Sequence, residues 1–307
     1  MKIRLIVIFL TALSRPVSGQ DQAAVFCRDT LFLITWNLEN YFDWTADSVS
    51  VSETDFSAGG ERHWTRARFE KKSNGIAKTI LAAAGKKGRV PDFVAVQEVE
   101  NRRVLRSLLA DTPLRKMDWK VVHFDSPDRR GIDCGLLYRC GRMQLLRSYP
   151  CHIRDSLGRV LPTRDILLAE FRLPSGERVS VLVNHHPSKL GRGSSVRRAL
   201  AFGTLRHLCD SLFSAGCSRV VAVGDFNTPV EWADPLCRGG TIRFNGVWER
   251  IDGCAVCLGT QVREEVLDFP FLLTRDIAHG GKKPARTYSG PRYLGGISDH
   301  LPVGVWF

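Results

Sequence analysis

An apolar run that ends in two polar residues is the strongest chemical signal in the chain. Val220-Val221-Ala222-Val223-Gly224-Asp225-Phe226-Asn227 reads as a strand that stops at a glycine and then delivers a carboxylate and an amide. Two residues apart, both side chains project to one side of the strand's C-terminal edge. Taken alone, the same residues also suit an Asx-type turn without any function. The pattern recurs, however. Ile34-Thr35-Trp36-Asn37 ends a run with an amide and Val94-Ala95-Val96-Gln97-Glu98 ends another with a carboxylate. Asn184-His185-His186 follows the apolar run 179–183, and Ser298-Asp299-His300 precedes the final run 301–307. Carboxylate and amide oxygens suit a hard divalent ion such as Mg²⁺ or Mn²⁺, whereas zinc would want several converging His or Cys. The inventory therefore favours magnesium-type chemistry.

The elements that must position these residues alternate along the chain. Residues 31–36, 92–96, 119–124, 134–138, 166–173, 179–183 and 219–223 are rich in Val, Ile, Leu and aromatics and read as strands. Helical spacing over 66–84 turns Phe69, Ile76, Ile80 and Ala83 inward, with Gly85 as a stop. A second helix is expected over 195–213 with Leu200, Leu205, Leu208 and Leu212 inward, and a short one over 101–109. No repeat or low-complexity linker divides the chain, so one domain is the simpler organisation. The Ser-rich stretch 44–60 and the irregular region 264–281 are long enough to serve as substrate-facing loops.

The 307 residues carry 44 Lys and Arg against 32 Asp and Glu, a formal charge of +12, with 44% hydrophobic and 25% charged residues. This is the composition of a folded globular protein and excludes wholesale disorder or a coiled coil. Residues 1–19 read as a secretory signal peptide: Lys2 and Arg4, a short apolar run over 5–13, then Val17-Ser18-Gly19 at the cleavage site. The run is too short to span a bilayer, and Arg15 and Pro16 interrupt its extension. No transmembrane segment follows, so the protein is expected to be secreted or periplasmic and monomeric, with residues 20–307 as its catalytic domain. Cleavage would remove Lys2, Arg4 and Arg15 and no acid, lowering the charge to +9. Nine cysteines cannot all pair internally. Cys254-x-x-Cys257 lacks the second half of a zinc motif, and buried structural cysteines are favoured over a metal or redox site.

The ordered motifs resemble those of the endonuclease/exonuclease/phosphatase superfamily, and most closely its exported bacterial branch. They are NLEN at 37–40, QEVEN at 97–101, NHHPSK at 184–189, GDFN at 224–227, a GTIRFNGVWERID stretch ending at Asp252, and YLGGISDHLPV at 293–303. The resemblance implies a four-layer α/β sandwich, two mixed β-sheets packed face to face with helices outside. It also implies Asn37, Glu98 and Asp299 as metal-side ligands. Asp225 and Asn227 match the pair that positions the attacking water and contacts the phosphate. His300 matches the catalytic histidine, Asp252 its acidic partner, His185 a second phosphate-facing histidine, and Asp133 falls where a partner for His185 is expected. Asp299 and His300 are adjacent, so both can serve one site only from a turn. His186 stands where the branch often carries an aromatic, and reads as either a substrate-side or a packing residue. Glu39 and Glu100 read as solvated or supporting, Arg164 and Lys189 as either phosphate contacts or, more usually for an isolated base among 44, surface charge, and Trp36, Trp64 and Trp248 as core or rim packing.

The expected function is therefore an exported, Mg²⁺- or Mn²⁺-dependent phosphodiesterase. Nucleic acid is the favoured substrate because the processed chain stays basic, which makes the protein an endonuclease-type nuclease. Sphingomyelinase-like head-group cleavage is the alternative and would call for an exposed apolar hairpin. Residues 269–273 are a short apolar stretch to examine for that role. Hydrolysis of inositol or sugar phosphates comes next, then a non-catalytic binding protein on the same scaffold, which the full set of expected catalytic residues disfavours.

Overall fold

The apolar runs are long because most strands are covered on both faces. A computed structural model describes residues 30–45, 55–189 and 193–307. The expected signal peptide, Cys27 and most of the 44–60 stretch lie outside the described residues. Within Leu31–Phe307, one compact unit, a six-stranded sheet is built from β1 (Phe32–Tyr41), β2 (Phe93–Val99), β3 (Trp119–His123), β4 (Asp133–Arg139), β12 (Arg263–Val266) and β17 (Val303–Trp306). A five-stranded sheet comprises β5 (Gln144–Cys151), β6 (Ile166–Arg172), β7 (Arg178–His185), β8 (Arg219–Asp225) and β11 (Asp252–Leu258). Their orders are β12-β17-β1-β2-β4-β3 and β11-β8-β7-β6-β5. Pairs β1–β2 and β7–β8 are parallel and the other pairs in these sheets antiparallel, so both sheets are mixed. Three small two-stranded ribbons complete the strands: β9 (Ile242–Phe244) with β10 (Val247–Glu249), β13 (Leu273–Arg275) with β14 (Lys282–Pro284), and β15 (Tyr288–Ser289) with β16 (Arg292–Tyr293).

Alternation along single strands shows how the layers stack. In β8, Val221 and Val223 point into the core shared by the two sheets, whereas Val220 and Ala222 point to the opposite face. That second face is covered by α3 (Ser194–Ser214) through Leu205, Cys209 and Leu212. Between the sheets, Phe93 and Tyr138 meet Phe171 with ring centroids 5.0 and 5.1 Å apart. Two helices pack on the six-stranded sheet: α1 (Arg66–Lys87), whose Phe69 stacks on Tyr41 at 5.3 Å, and α2 (Arg102–Ala110), whose Leu105 lies directly over Gly135. The result is the expected four-layer α/β sandwich.

The expected helices are present with small changes at their ends. Phe69, Ile76, Ile80 and Ala83 are buried as their spacing requires. α1 passes through Gly85 and ends at Gly88, which takes a left-handed φ of 64°, with the Arg89 N–H bonded back to the Ala84 carbonyl at 3.0 Å. A solvent-side glycine inside a helix costs only about 1 kcal/mol, which Lys86 and Lys87 in the last turn help offset. Asn101 is the N-cap of α2, its side chain accepting from the Val104 N–H at 3.0 Å. The 264–281 region, read as irregular, contains the end of β12, a short 3₁₀ turn (Pro270–Leu272) and β13. β5 is an edge strand with alternating exposure, which is why it tolerates Pro150 and shows no apolar run.

Candidate active site

Parallel pairing determines where the polar strand ends meet. β1 and β2 pair in regular register as far as Asn37 and Gln97, where the register shifts just before Glu98; β7 and β8 run together and end at His185 and Asp225, which face each other in register. The antiparallel neighbours begin at that same edge: β11 starts with Asp252 opposite Asp225, and β4 starts with Asp133 opposite Val99. Asp299 and His300 lie on a turn just before β17. The turn is held by Ser298, whose hydroxyl donates to the Asn37 carbonyl at 2.6 Å and accepts from the His300 N–H at 3.0 Å. Close approach of β7 and β8 requires Gly224. With φ 147°, a Cβ there would sit 2.0 Å from the Asn184 carbonyl oxygen.

The side chains converge on Asp225. Its Oδ2 accepts from Asn37 Nδ2 at 2.9 Å and lies 3.7 Å from His185 Nε2 and 3.9 Å from His300 Nε2. Its Oδ1 accepts from the Asn227 N–H at 2.8 Å. His300 Nδ1 sits between the two oxygens of Asp252, at 2.9 and 3.2 Å. Forty-eight residues separate this buried pair. Burial opposes the imidazolium of His300, but the charge and hydrogen bond of Asp252, then Asp225 and Asp299, outweigh it and raise its pKa well above the ordinary value. Burial, followed by the Asp252 charge, pushes Asp225 up to about 7. His185 goes the other way: burial, then Arg164 and Arg130, hold it neutral.

Further carboxylates surround this cluster: Glu98 Oε1 lies 3.9 Å from His185 Nε2, Asp299 precedes β17, and Glu39 lies on β1. Glu39, read from the sequence as solvated or supporting, is buried; it accepts from the Thr287 and Tyr288 N–H groups at 2.6 and 3.2 Å and lies 3.4 Å from Arg286 Nε. Burial and then Asp299 push it up to about 7, against Lys72 and Arg286. Asp299 Oδ2 accepts from Arg286 Nη2 at 3.1 Å, and Asp299 Oδ1 is 3.9 Å from His300 Nε2. The donors Asn37, Glu98 and Asp299 are hard oxygens, so these residues fit a magnesium-type ion. Among the described residues, two groups bring three His or carboxylate ligand atoms within 4.8 Å of one another: Asp225, Asp252 and His300, already tied by the His300–Asp252 bond, and His123, Asp125 and Asp133.

Other expected residues sit differently. Asp133, expected to face His185, instead accepts from the Ser126 N–H at 2.9 Å and lies 3.4 Å from His123 Nε2, while His185 Nδ1 is buried with no hydrogen-bond partner. The Asn227 side chain donates to the His186 carbonyl at 2.9 Å from a left-handed backbone, φ 54°. His186 is a packing residue: its ring lies edge-on to Phe202 and Phe226 at 4.4 and 5.0 Å, and neither ring nitrogen has a partner. Arg164 is buried, bonded to Asp128 Oδ2 at 3.0 Å and to the His186 carbonyl at 2.8 Å, and is not surface charge. Lys189 pairs with Glu249 at the surface.

Three features escaped sequence reading. Lys72 of α1 is buried, donating to the Glu39 carbonyl at 2.6 Å and to Thr287 Oγ1 at 2.7 Å. Arg130 Nη2 lies 3.6 Å from Glu98 Oε2 and donates to Asn40 Oδ1 at 2.7 Å. The β9–β10 hairpin is rooted beside His300, which bridges Ile242, and it exposes Phe244 (70%), Val247 (62%) and Trp248 (37%). Its turn is Asn245-Gly246, both at positive φ, a hairpin signal present in the sequence. The stretch 269–273 is no such feature, since Phe269 and Phe271 stack on each other at 5.5 Å and Leu272 is buried.

A sequence model described as the Endonuclease/Exonuclease/phosphatase family matches residues 32–233. Among solved structures, TDP2 from C. elegans superposes with a TM-score of 0.57 at 14% identity, covering 94% of this chain and 80% of that one. An endonuclease/exonuclease/phosphatase family protein from Bacteroides thetaiotaomicron gives 0.57 at 16% identity, covering 90% and 94%. D. rerio TDP2 complexed with single strand DNA product gives 0.50 at 15% identity, covering 91% and 98%. No curated protein sequence is significantly similar.

Proposed function

The chain belongs to the endonuclease/exonuclease/phosphatase family of metal-dependent phosphoric ester hydrolases, and we propose that it is an exported endonuclease that cleaves nucleic-acid phosphodiester bonds with Mg²⁺ or Mn²⁺. The observation that carries the reading is the convergence of the buried Asp252–His300 pair and His185 on Asp225. Asn37, Glu98 and Asp299 would hold the divalent ion, which supplies charge compensation for the phosphoryl oxygens. Asp225, poised near neutrality, takes the proton of the attacking water while the Asn37 amide and the Asn227 N–H fix its orientation. His300, kept as an imidazolium by Asp252, stabilises the charge that develops on the phosphate. His185, held neutral, offers a hydrogen bond from Nε2 to a phosphoryl oxygen.

A nucleic-acid substrate is supported by the basic chain and by a fold neighbour that holds a single strand DNA product. Export rests on the leader read at 1–19, and among the described residues no helix is long and apolar enough to cross a membrane. The exposed Phe244, Val247 and Trp248 favour one second reading, phospholipid head-group cleavage with the hairpin seated at the lipid surface. A panel of plasmid DNA, RNA, sphingomyelin vesicles and inositol phosphates under one Mn²⁺ condition, repeated with chelator, tests the choice. Nicking of plasmid abolished by chelator is expected; turnover confined to sphingomyelin would replace the nuclease reading with the second one.

A further inference from the structure

The Cys254-x-x-Cys257 motif gains a geometry that its sequence does not reveal. In a regular strand, residues three apart face opposite sides. β11 is not regular there. Cys254 lies opposite Val223 and Val256 opposite Ala222, so Ala255 is an inserted residue of a β-bulge, and Cys257 then falls opposite Val221. Val221 and Val223 face the core between the sheets, and Cys254 and Cys257 pack on that same side, whereas Ala255, Val256 and Leu258 pack toward α3. The Cys254 thiol donates to the Val256 carbonyl at 3.3 Å and the Cys257 thiol to the Thr260 carbonyl at 3.5 Å. Cys254 is fully buried. Cys257 is half-buried and lines a surface cavity of about 690 Å³ that also touches Cys209, Trp232 and Gln261.

We propose that Cys254 and Cys257 are a redox modification site on the strand that carries Asp252, closing to an intrastrand disulfide by exchange with a small-molecule disulfide. Cys257 loses its proton and attacks one sulfur of the reagent, breaking its S–S bond and releasing one thiol. Cys254 then loses its proton and attacks Cys257 in the mixed disulfide, releasing the second thiol. Two protein thiols and one disulfide become one protein disulfide and two small thiols. The order follows from access, since Cys257 is half-buried and lines the cavity whereas Cys254 is fully buried, and the Cys254 thiol beside it lowers the pKa of Cys257. The five bonds that a disulfide places between the two Cα atoms span the bulge, so oxidation fixes the irregular stretch that begins two residues after Asp252.

Peptide mapping of the folded full chain after incubation with oxidised glutathione tests the assignment. Remaining thiols are alkylated and the protein is digested with trypsin, which releases residues 251–263 with these two cysteines and no others. The expected product is an unalkylated peptide lighter by two hydrogen atoms than its dithiol form, restored to double alkylation by prior reduction. In Cys254→Ser, glutathione should remain trapped on Cys257; in Cys257→Ser, the buried Cys254 should take up none. Double alkylation of the oxidised wild-type peptide, a link from either cysteine to a different one, or an equal glutathione adduct on Cys254 in Cys257→Ser would overturn the proposal. The wild-type measurement decides the matter without either variant.

Discussion

At the scale of single residues, the sequence located the acids and histidines better than their partners. Asp225 and His300 could be named because one ends and the other precedes an apolar run, and Asp252 because it closes a stretch that resembles a family motif. That Asp252 reaches His300 across forty-eight residues depends on β11 starting opposite Asp225 and on the turn before β17 that carries His300 to the same edge, which no local signal encodes. Asp133 shows the limit: its position suggested His185, but the backbone places it against His123 and Ser126. His186 was ambiguous because an imidazole is both a ligand and a flat ring, and its burial between Phe202 and Phe226 decides for packing. Its cost is testable. Burial, then Arg164 and Arg198, push His186 down to about 3 from an ordinary 6.5. Between those values the unfolded chain binds a proton that the folded protein refuses, so this residue's contribution to stability falls as pH falls below 6.5. His186→Phe should stabilise the protein by about 1–2 kcal/mol at neutral pH by removing unpaired buried nitrogens. Its advantage in melting temperature should widen as pH is lowered toward 5; an advantage that shrinks on acidification would contradict the assignment.

At the scale of elements, the strands and helices that build the core were legible because their apolar periodicity is set by burial on known faces. Edge strand β5, the small ribbons and the β11 bulge were not, since exposure or an inserted residue breaks the period. The β9–β10 hairpin is marked in the sequence only by Asn245-Gly246, although it exposes Phe244 and Trp248 beside His300. Strand contact at the site depends on one glycine. Gly224→Ala puts a methyl group into the Asn184 carbonyl and forces β7 from β8, displacing Asp225 and His185 together. Chemical denaturation should show a loss of about 3 kcal/mol or more, and activity should fall even under conditions where the variant is fully folded. Wild-type stability with wild-type activity would mean the sheet closes differently.

At the scale of the whole molecule, length and charge pointed to a large basic domain but left its chemistry open, and the ordered motifs supplied it. Charge now bears on affinity alone. Three or four phosphate contacts imply that DNA binding weakens on the order of 100-fold between about 50 and 200 mM salt. Fluorescence anisotropy with a labelled oligonucleotide would measure this, and a salt-independent affinity would remove the polyanion argument. The role of the Asp252–His300 pair is tested most directly by the rate of phosphodiester hydrolysis by His300→Ala. With Mn²⁺ present and folding verified by circular dichroism, kcat/KM on a chromogenic phosphodiester should fall by about 10³-fold or more relative to wild type. A variant that retains full activity would show that the Asp252–His300 pair is not part of the chemistry.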